Sequence, residues 1–232
     1  MKGIFYAVGV GSGNPLEMTL QAKQVLEQAD VILIPVKKEY ADSVAFAIAE
    51  QVANMQNAEK LKIVFPMIKN INYKNYLKSG ILLPVTKSLD NGKTVAMITL
   101  GDVSVYSTAN YVRQIISEQG YQTQVIAGIS SFLAGAAKAQ LSLCENQESL
   151  IILPAVNSPE SVQNALLQAD NIIIMKAGKA LHWLIPLLKE LNLFDKTVMF
   201  YNIGMPDEYI GIPHMKNSSY FTMLVIKKGG LQ

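Results

Sequence analysis

The chain has 232 residues, half of them hydrophobic and 16% charged, with a formal net charge of +2. That composition excludes a disordered chain and carries no basic footprint for nucleic acid. Cys144 is the only cysteine and His182 and His214 the only histidines, which excludes an intrachain disulfide and a cysteine zinc cage and leaves no expectation of a protein-bound metal. The length suits one large domain or two small ones. No apolar run approaches the roughly 18 residues of a membrane span. The first residues read as strand plus loop and not as a leader, so a cytoplasmic chain without a membrane partner is expected.

In chain order, residues 2–10 read as a strand, followed by Gly9-Val10-Gly11-Ser12-Gly13-Asn14-Pro15. Pro15 suits the start of a helix, where a missing N–H costs nothing. That helix carries Leu16, Leu20, Val25 and Leu26 toward Ala29, and a buried strand follows at 31–35. A strand, a glycine loop, a helix and a strand predict a nucleotide-type α/β domain. The dinucleotide fingerprint fails, because Asn14 stands at its third glycine and no acidic residue ends the second strand. An amphipathic helix is predicted over 40–54 and a short strand over 61–67. Residues 69–91 are polar and weakly periodic, with a short helix around 73–79. Lys69, Lys74, Lys78 and Lys87 read as a solvated face, and would suit an acidic substrate if they lined a cleft.

Residues 94–100 form an apolar run suited to a strand buried on both faces. It stops at Gly101-Asp102 and opens into a helical pattern through Val105, Ala109, Val112 and Ile116. Ser104 is the expected N-cap and Gly120 the expected C′ residue. A glycine there lets a ligand approach the backbone, and a carboxylate can hold polar atoms. The bland alternative is an ordinary strand–helix turn. Another strand at 121–126 ends in Ala127-Gly128-Ile129-Ser130-Ser131, where the serines read first as helix caps and second as hydroxyls placed to meet a ligand.

A connection is expected at 141–147. Beyond it come a strand at 149–154, a helix at 159–168 and a strand at 171–175. The glycine corner Lys176-Ala177-Gly178-Lys179 then leads into a helix through Trp183, Leu187 and Leu188. A strand at 195–201 runs into Asn202-Ile203-Gly204-Met205-Pro206-Asp207-Glu208. Residues 209–212 and 220–226 are expected to pair as antiparallel strands. Cys144 reads as a small core residue and His182 as structural. No P-loop, nucleophile elbow or zinc-protease motif is present. The residues alone therefore predict a two-part α/β small-molecule binder of undefined chemistry.

Taken together, the motifs resemble a known family. Gly9 to Leu20 (GVGSGNPLEMTL) looks like the opening of the tetrapyrrole (corrin/porphyrin) methyltransferases. Leu100 to Thr108 (LGDVSVYST), Ala127 to Phe132 (AGISSF), Met175 to Gly178 (MKAG) and Gly204 to Glu208 (GMPDE) match later motifs in family order. Tyr106-Ser107-Thr108, with Phe65-Pro66-Met67, looks most like the branch that methylates carbon 20 of precorrin-2 or cobalt-precorrin-2 (cobalt-factor II) in cobalamin biosynthesis. The alternatives are a sister enzyme acting at another ring position and a non-catalytic tetrapyrrole-binding member of the fold.

The resemblance implies an α/β fold of two α/β domains, over 1–140 and 148–232, with the active site in the cleft between them. It implies S-adenosyl-L-methionine as methyl donor, a tetrapyrrole substrate and a homodimer. Carried over, the donor contacts fall on Gly101, Asp102 and Val103, on Ser130 and Ser131, and on Met175, Gly204, Met205 and Thr222. Gly11, Ser12 and Gly13 border the tetrapyrrole, together with Tyr106. Asp102 and Tyr106 are the candidate catalytic residues, and Arg113 or the lysines are expected to face the substrate carboxylates. Three departures stand out: Ser12 replaces the usual Pro, Asn14 the usual Asp, and Val103 the usual Pro.

Overall fold

A computed structural model of the chain describes residues 1–66, 73–154, 158–216 and 218–231. The expectations on Met67, on Lys69 and on the side chains of Lys74 and Lys78 lie outside the described residues. The chain divides into two compact units, Met1–Ser130 and Ser131–Gln232.

The first unit is built on five parallel strands: β1 (Ile4–Gly9), β2 (Val31–Val36), β3 (Glu59–Val64), β4 (Val95–Thr99) and β5 (Gln122–Ile126). Their order is β3-β2-β4-β1-β5. Every residue of β4 is buried, as an apolar run in mid-sheet requires. Alternate side chains serve opposite faces. Phe5, Ala7, Val95 and Met97 pack under α4 (Leu83–Asp90) and α5 (Thr108–Glu118), through Val85, Leu89, Val112 and Ile116. Val8, Ile32, Ala96 and Ile98 pack under α1 (Leu20–Gln28) and α2 (Val44–Ala49), through Leu26 and Ile48.

Several predicted elements are adjusted. The helix expected over 40–54 is only α2, begun at Ser43, whose hydroxyl accepts from the Phe46 N–H. In the polar stretch 69–91 the short helix expected around 73–79 is α3 (Tyr73–Tyr76) continued by a π turn (Leu77–Ile81), and α4 follows, which the sequence pattern did not announce. Leu16 and Leu20, expected on an inner helix face, are 86% and 85% exposed. Asn14 caps a separate 3-10 turn at Pro15–Glu17, and α1 starts afresh under Thr19.

The second unit carries β6 (Leu150–Leu153), β7 (Asn171–Ile174), β8 (Thr197–Tyr201), β9 (Tyr209–Gly211) and β10 (Thr222–Lys227), in the order β6-β7-β10-β8-β9. Only β6 and β7 are parallel; β10 runs antiparallel to both of its neighbours. The hairpin expected between 209–212 and 220–226 does not form. β9 pairs with β8 at the sheet edge, and β10 inserts between β7 and β8. All six residues of β10 are buried, which an interior strand provides and an edge strand does not. Lys227 is 4% exposed and its side chain is met by polar partners: Nζ donates to Ser142 O at 2.7 Å and lies 3.6 Å from the Glu148 carboxylate.

Helices α7 (Pro159–Gln168) and α8 (Leu181–Glu190) cover one face of this sheet, burying Val162, Leu184 and Leu188 against Ile172, Met199 and Leu224. Helix α6 (Ser131–Lys138) packs by Gly135 onto the Phe200 ring. Cys144, expected in the core, is exposed, and so is His182, whose ring meets Lys179 O. No described helix is long and apolar enough to cross a membrane.

Gly135→Ala separates two effects of opposite sign. Helix propensity favours alanine by about 1 kcal/mol. The new methyl would lie 2.5 Å from Cδ2 of the fully buried Phe200, and overpacking of that kind costs about 1–3 kcal/mol. The expected result is a net loss of stability, read as a lower urea midpoint with an unchanged m-value.

Candidate functional site

The register of the first sheet places three strand ends level. Gly9 lies opposite Thr99, and Val8 opposite Ile126. The loops leaving β1, β4 and β5 therefore emerge together at the carboxyl edge, where open α/β sheets bind ligands. Gly11 and Gly101 pair across two of these loops: the Gly101 N–H donates to Gly11 O at 2.7 Å and the Gly11 N–H to Gly101 O at 3.4 Å. Beneath them the backbones touch. A Cβ on Gly9 would meet Gly101 O at 2.7 Å and Gly128 N at 2.8 Å; one on Gly128 would meet Gly101 O at 2.2 Å. Gly101 itself is different. It has φ +72°, and a Cβ there would find only Ser130 Cα, at 4.0 Å. Gly9 and Gly128 are thus glycines because the chains are in contact. Gly101 is a glycine for its left-handed backbone, and the space a side chain would fill there is left uncrowded.

Asp102 ties this corner to the next. One carboxylate oxygen accepts from the Gly128 N–H at 2.8 Å, and the other accepts from both the N–H and the hydroxyl of Ser104. Burial pushes the Asp102 carboxyl up, but the donors on Ser104, Gly128 and Val103 outweigh it and hold the group below its usual range. The same bonds explain why the expected N-cap is wrong. Ser104 is captured backward by Asp102, and Tyr106 takes a left-handed φ of 50°, so no helix runs through 104–107. The helix starts at Thr108, and Ser107 caps it by accepting from the Ala109 N–H at 3.2 Å, with Thr99 Oγ1 at 2.9 Å from its hydroxyl. Tyr106, turned out by this strained corner, is 49% exposed.

The residues at the three departures expected from the resemblance, Val103, Ser12 and Asn14, are each engaged locally. Val103 is fully buried and plugs its side chain into the core below the corner. Ser12 is 1% exposed and donates to the Glu17 carboxylate at 2.9 Å. Asn14 accepts from the Leu16 N–H at 3.1 Å. Thr19 donates to Ala127 O at 3.3 Å, adding a third tie between loops. Glu17 and Thr19 were not foreseen, because their partners are recognised only after folding.

In the second unit, Met175 follows β7 and is half-buried, its N–H held by Leu153 O at 2.9 Å. Lys176 then turns left-handed, and Gly178 admits the Ser219 backbone, whose oxygen would lie 2.2 Å from a Cβ. Thr222 is buried and accepts from the Ser219 N–H at 3.1 Å. Beside it, Met223 Sδ receives the Ser131 hydroxyl at 3.2 Å. The loop 202–208 holds three left-handed residues, Asn202, Gly204 and Asp207. The Gly204 N–H is occupied by Glu208 at 2.5 Å and the Met205 N–H by Asn202 O at 2.8 Å. The pairing of Glu208 with Lys138 was not foreseen, since no local pattern links positions 70 residues apart.

Of the expected substrate cations, Arg113 on α5 is half-buried and bonded to Asn110. Lys87 lies in a surface groove of about 480 Å³ shared with Glu59, Ser88, Asn91 and Lys93. Glu59 begins β3 and Lys93 precedes β4, so this groove belongs to the amino edge of the sheet, opposite the glycine corners. Among the described residues, no three His, Cys, Asp or Glu side chains gather as metal ligands would.

A parallel sheet with glycine corners at its carboxyl edge, followed by a second mixed sheet with corners of the same kind, defines an α/β protein of the small-molecule-binding class. The chain belongs to the tetrapyrrole (corrin/porphyrin) methylases, whose family pattern matches residues 5–216. It is 34% identical to a probable cobalt-precorrin-2 C(20)-methyltransferase of Methanocaldococcus jannaschii, over 96% of this chain and 95% of the relative. It is 27% identical to the cobalt-precorrin-2 C(20)-methyltransferase of Salmonella typhimurium, over 90% and 87%. Its fold matches, with a TM-score of 0.67 and 16% identity over 97% of this chain and 98% of the other, the Thermus thermophilus uroporphyrin-III C-methyltransferase in complex with S-adenosyl homocysteine.

Gly128→Ala is expected to cost about 3 kcal/mol or more, because backbone on both sides of the new methyl must move; denaturant unfolding measures it. Asp102 also predicts an acid limb. A carboxylate held low stabilises fully above its unfolded pKa, near 3.9, and that contribution vanishes as pH falls through the lower folded value. Urea unfolding followed toward acid pH should therefore lose part of its pH dependence in Asp102→Asn.

Proposed function

We propose that this chain transfers a methyl group from S-adenosyl-L-methionine to carbon 20 of precorrin-2 or its cobalt complex. What carries the proposal is the end-to-end likeness to two C(20)-methyltransferases. The uncrowded Cα of Gly101 supports it, because a ligand can approach the chain where a side chain would otherwise stand. The proposed donor contacts are Gly101, Asp102, Val103 and Ser130 in the first unit, and Ser131, Met175, Gly204, Met205 and Thr222 in the second. Gly11, Ser12, Gly13 and Tyr106 are proposed to border the macrocycle. The proposal includes a homodimer in the cytoplasm, as the family resemblance implies.

The donor supplies an activated methyl group on a sulfonium, so the protein needs no strong nucleophile. A carbon–methyl bond forms at carbon 20, the sulfur–methyl bond breaks to leave S-adenosyl homocysteine, and the meso proton departs. The chain's task is to hold carbon, methyl and sulfur in line and to exclude water. Asp102 fixes the corner by its bonds to Gly128 and Ser104, and its negative charge is proposed to balance that of the sulfonium. Tyr106 is proposed to orient the macrocycle or to assist loss of the meso proton.

Asp102→Asn is expected to raise the KM for S-adenosyl-L-methionine, since an amide cannot accept from all three donors. Tyr106→Phe is expected to lower kcat with that KM unchanged if the hydroxyl assists loss of the meso proton, and to raise the tetrapyrrole KM if it orients the ring. Full turnover by both variants would sink the catalytic assignments. NMR of the product formed with labelled donor, from metal-free and cobalt-bearing substrates, fixes the methylated position; a methyl group elsewhere would replace this reading with that of a sister enzyme.

A further inference from the structure

The loop 202–208 has an external brace. Left-handed backbone at Asn202 and Asp207, neither of them glycine, is tolerated by their short polar side chains and is held by bonds around it. Part of that restraint is local: Asn202 Nδ2 donates to Pro206 O at 3.1 Å, and its carbonyl accepts from the Met205 N–H. The rest comes from Glu208. Its carboxylate reaches back to the Gly204 N–H and receives the Lys138 ammonium at 2.6 Å on the same oxygen. Burial pushes the Glu208 carboxyl up, but these two donors outweigh it and hold the group low.

Lys138 is the last residue of α6, a position that favours a cation against the helix dipole. The first residue of that helix is Ser131, whose hydroxyl meets Met223 beside Thr222. Gly135 sits on Phe200, one residue before the end of β8. Helix α6 is therefore a strut about 12 Å long, fixed along its length to the sheet. At one end it carries Ser131 and at the other it grips the 202–208 loop.

We propose that Lys138 and Glu208 are a positioning pair that sets the spacing between Ser131 and the Gly204–Met205 loop, and through it the affinity for the methyl donor. The inference rests on the reading that those residues contact the donor. The pair makes no contact of its own with reacting atoms. A charge-assisted bond is shorter and stronger than a neutral one, so a carboxylate shared by a glycine amide and an ammonium fixes the loop better than either bond alone.

The test uses the full chain with S-adenosyl homocysteine as the probe in calorimetry, and steady-state kinetics with both substrates. Glu208→Ala and Lys138→Met should weaken S-adenosyl homocysteine binding roughly three- to tenfold and raise the donor KM in step, with the tetrapyrrole KM unchanged. Lys138→Arg should recover most of the loss, and Glu208→Gln, which keeps an acceptor for the Gly204 amide, should fall between wild type and Glu208→Ala. A pair with a merely structural role would lower the melting temperature of the unliganded chain and leave the affinity alone; that result overturns the proposal. So does a Lys138→Arg variant no better than Lys138→Met. Failure of the wild-type chain to bind S-adenosyl homocysteine would strike the donor reading itself, whereas equal binding by wild type and variants would strike only the positioning pair.

Discussion

The contact of three backbones at Gly9, Gly101 and Gly128 is the constraint on which the carboxyl edge of the first sheet depends. The exit loops of β1, β4 and β5 leave neighbouring strands and turn toward one another. Here they turn until the chains touch, with no side chain between them. The Gly11–Gly101 pairing and the reach of Asp102 to the Gly128 amide lock that contact. A face made of backbone is stiff, because it has no rotamers to lose.

The second unit uses the same chemistry in a different sheet. Glu208 takes the Gly204 amide as Asp102 takes that of Gly128. In each case an acidic side chain, partly withdrawn from water, accepts from a glycine N–H on a turning loop. Such a bond restrains the loop without filling the space in front of it. For methyl transfer from an activated donor, where alignment supplies the acceleration, restraint of this kind matters more than a reactive group.

The departures from the family pattern are absorbed locally. Proline would stiffen the loops at 12 and 103 through its ring. Ser12 obtains stiffness from its bond to Glu17, and Val103 from burial in the core. Asn14 has no charge, but it caps the 3-10 turn that carries Glu17 to Ser12. A carboxylate thus remains at the first glycine loop, supplied from three residues further along the chain.

The buried strands and the glycine corners were legible in the sequence, because a run of apolar residues ended by glycine has one common structural cause. β4 and its Gly101-Asp102 corner are the clearest instance. Helix α4 was not legible: Val85 and Leu89 have helical spacing, but their polar neighbours dilute it below notice. The start of α5 was misplaced, because Ser104 and Ser107 are equally good caps until the Asp102 carboxylate claims one of them. The sequence by itself determined where the chain turns and which residues carry family motifs, since both are properties of short stretches. Only the tertiary structure decided that β10 lies between β7 and β8, that Gly128 is reached by Asp102, and that Lys138 meets Glu208. Each of these joins positions far apart in the chain, and burial and charge pairing select such partners only when the whole unit has packed.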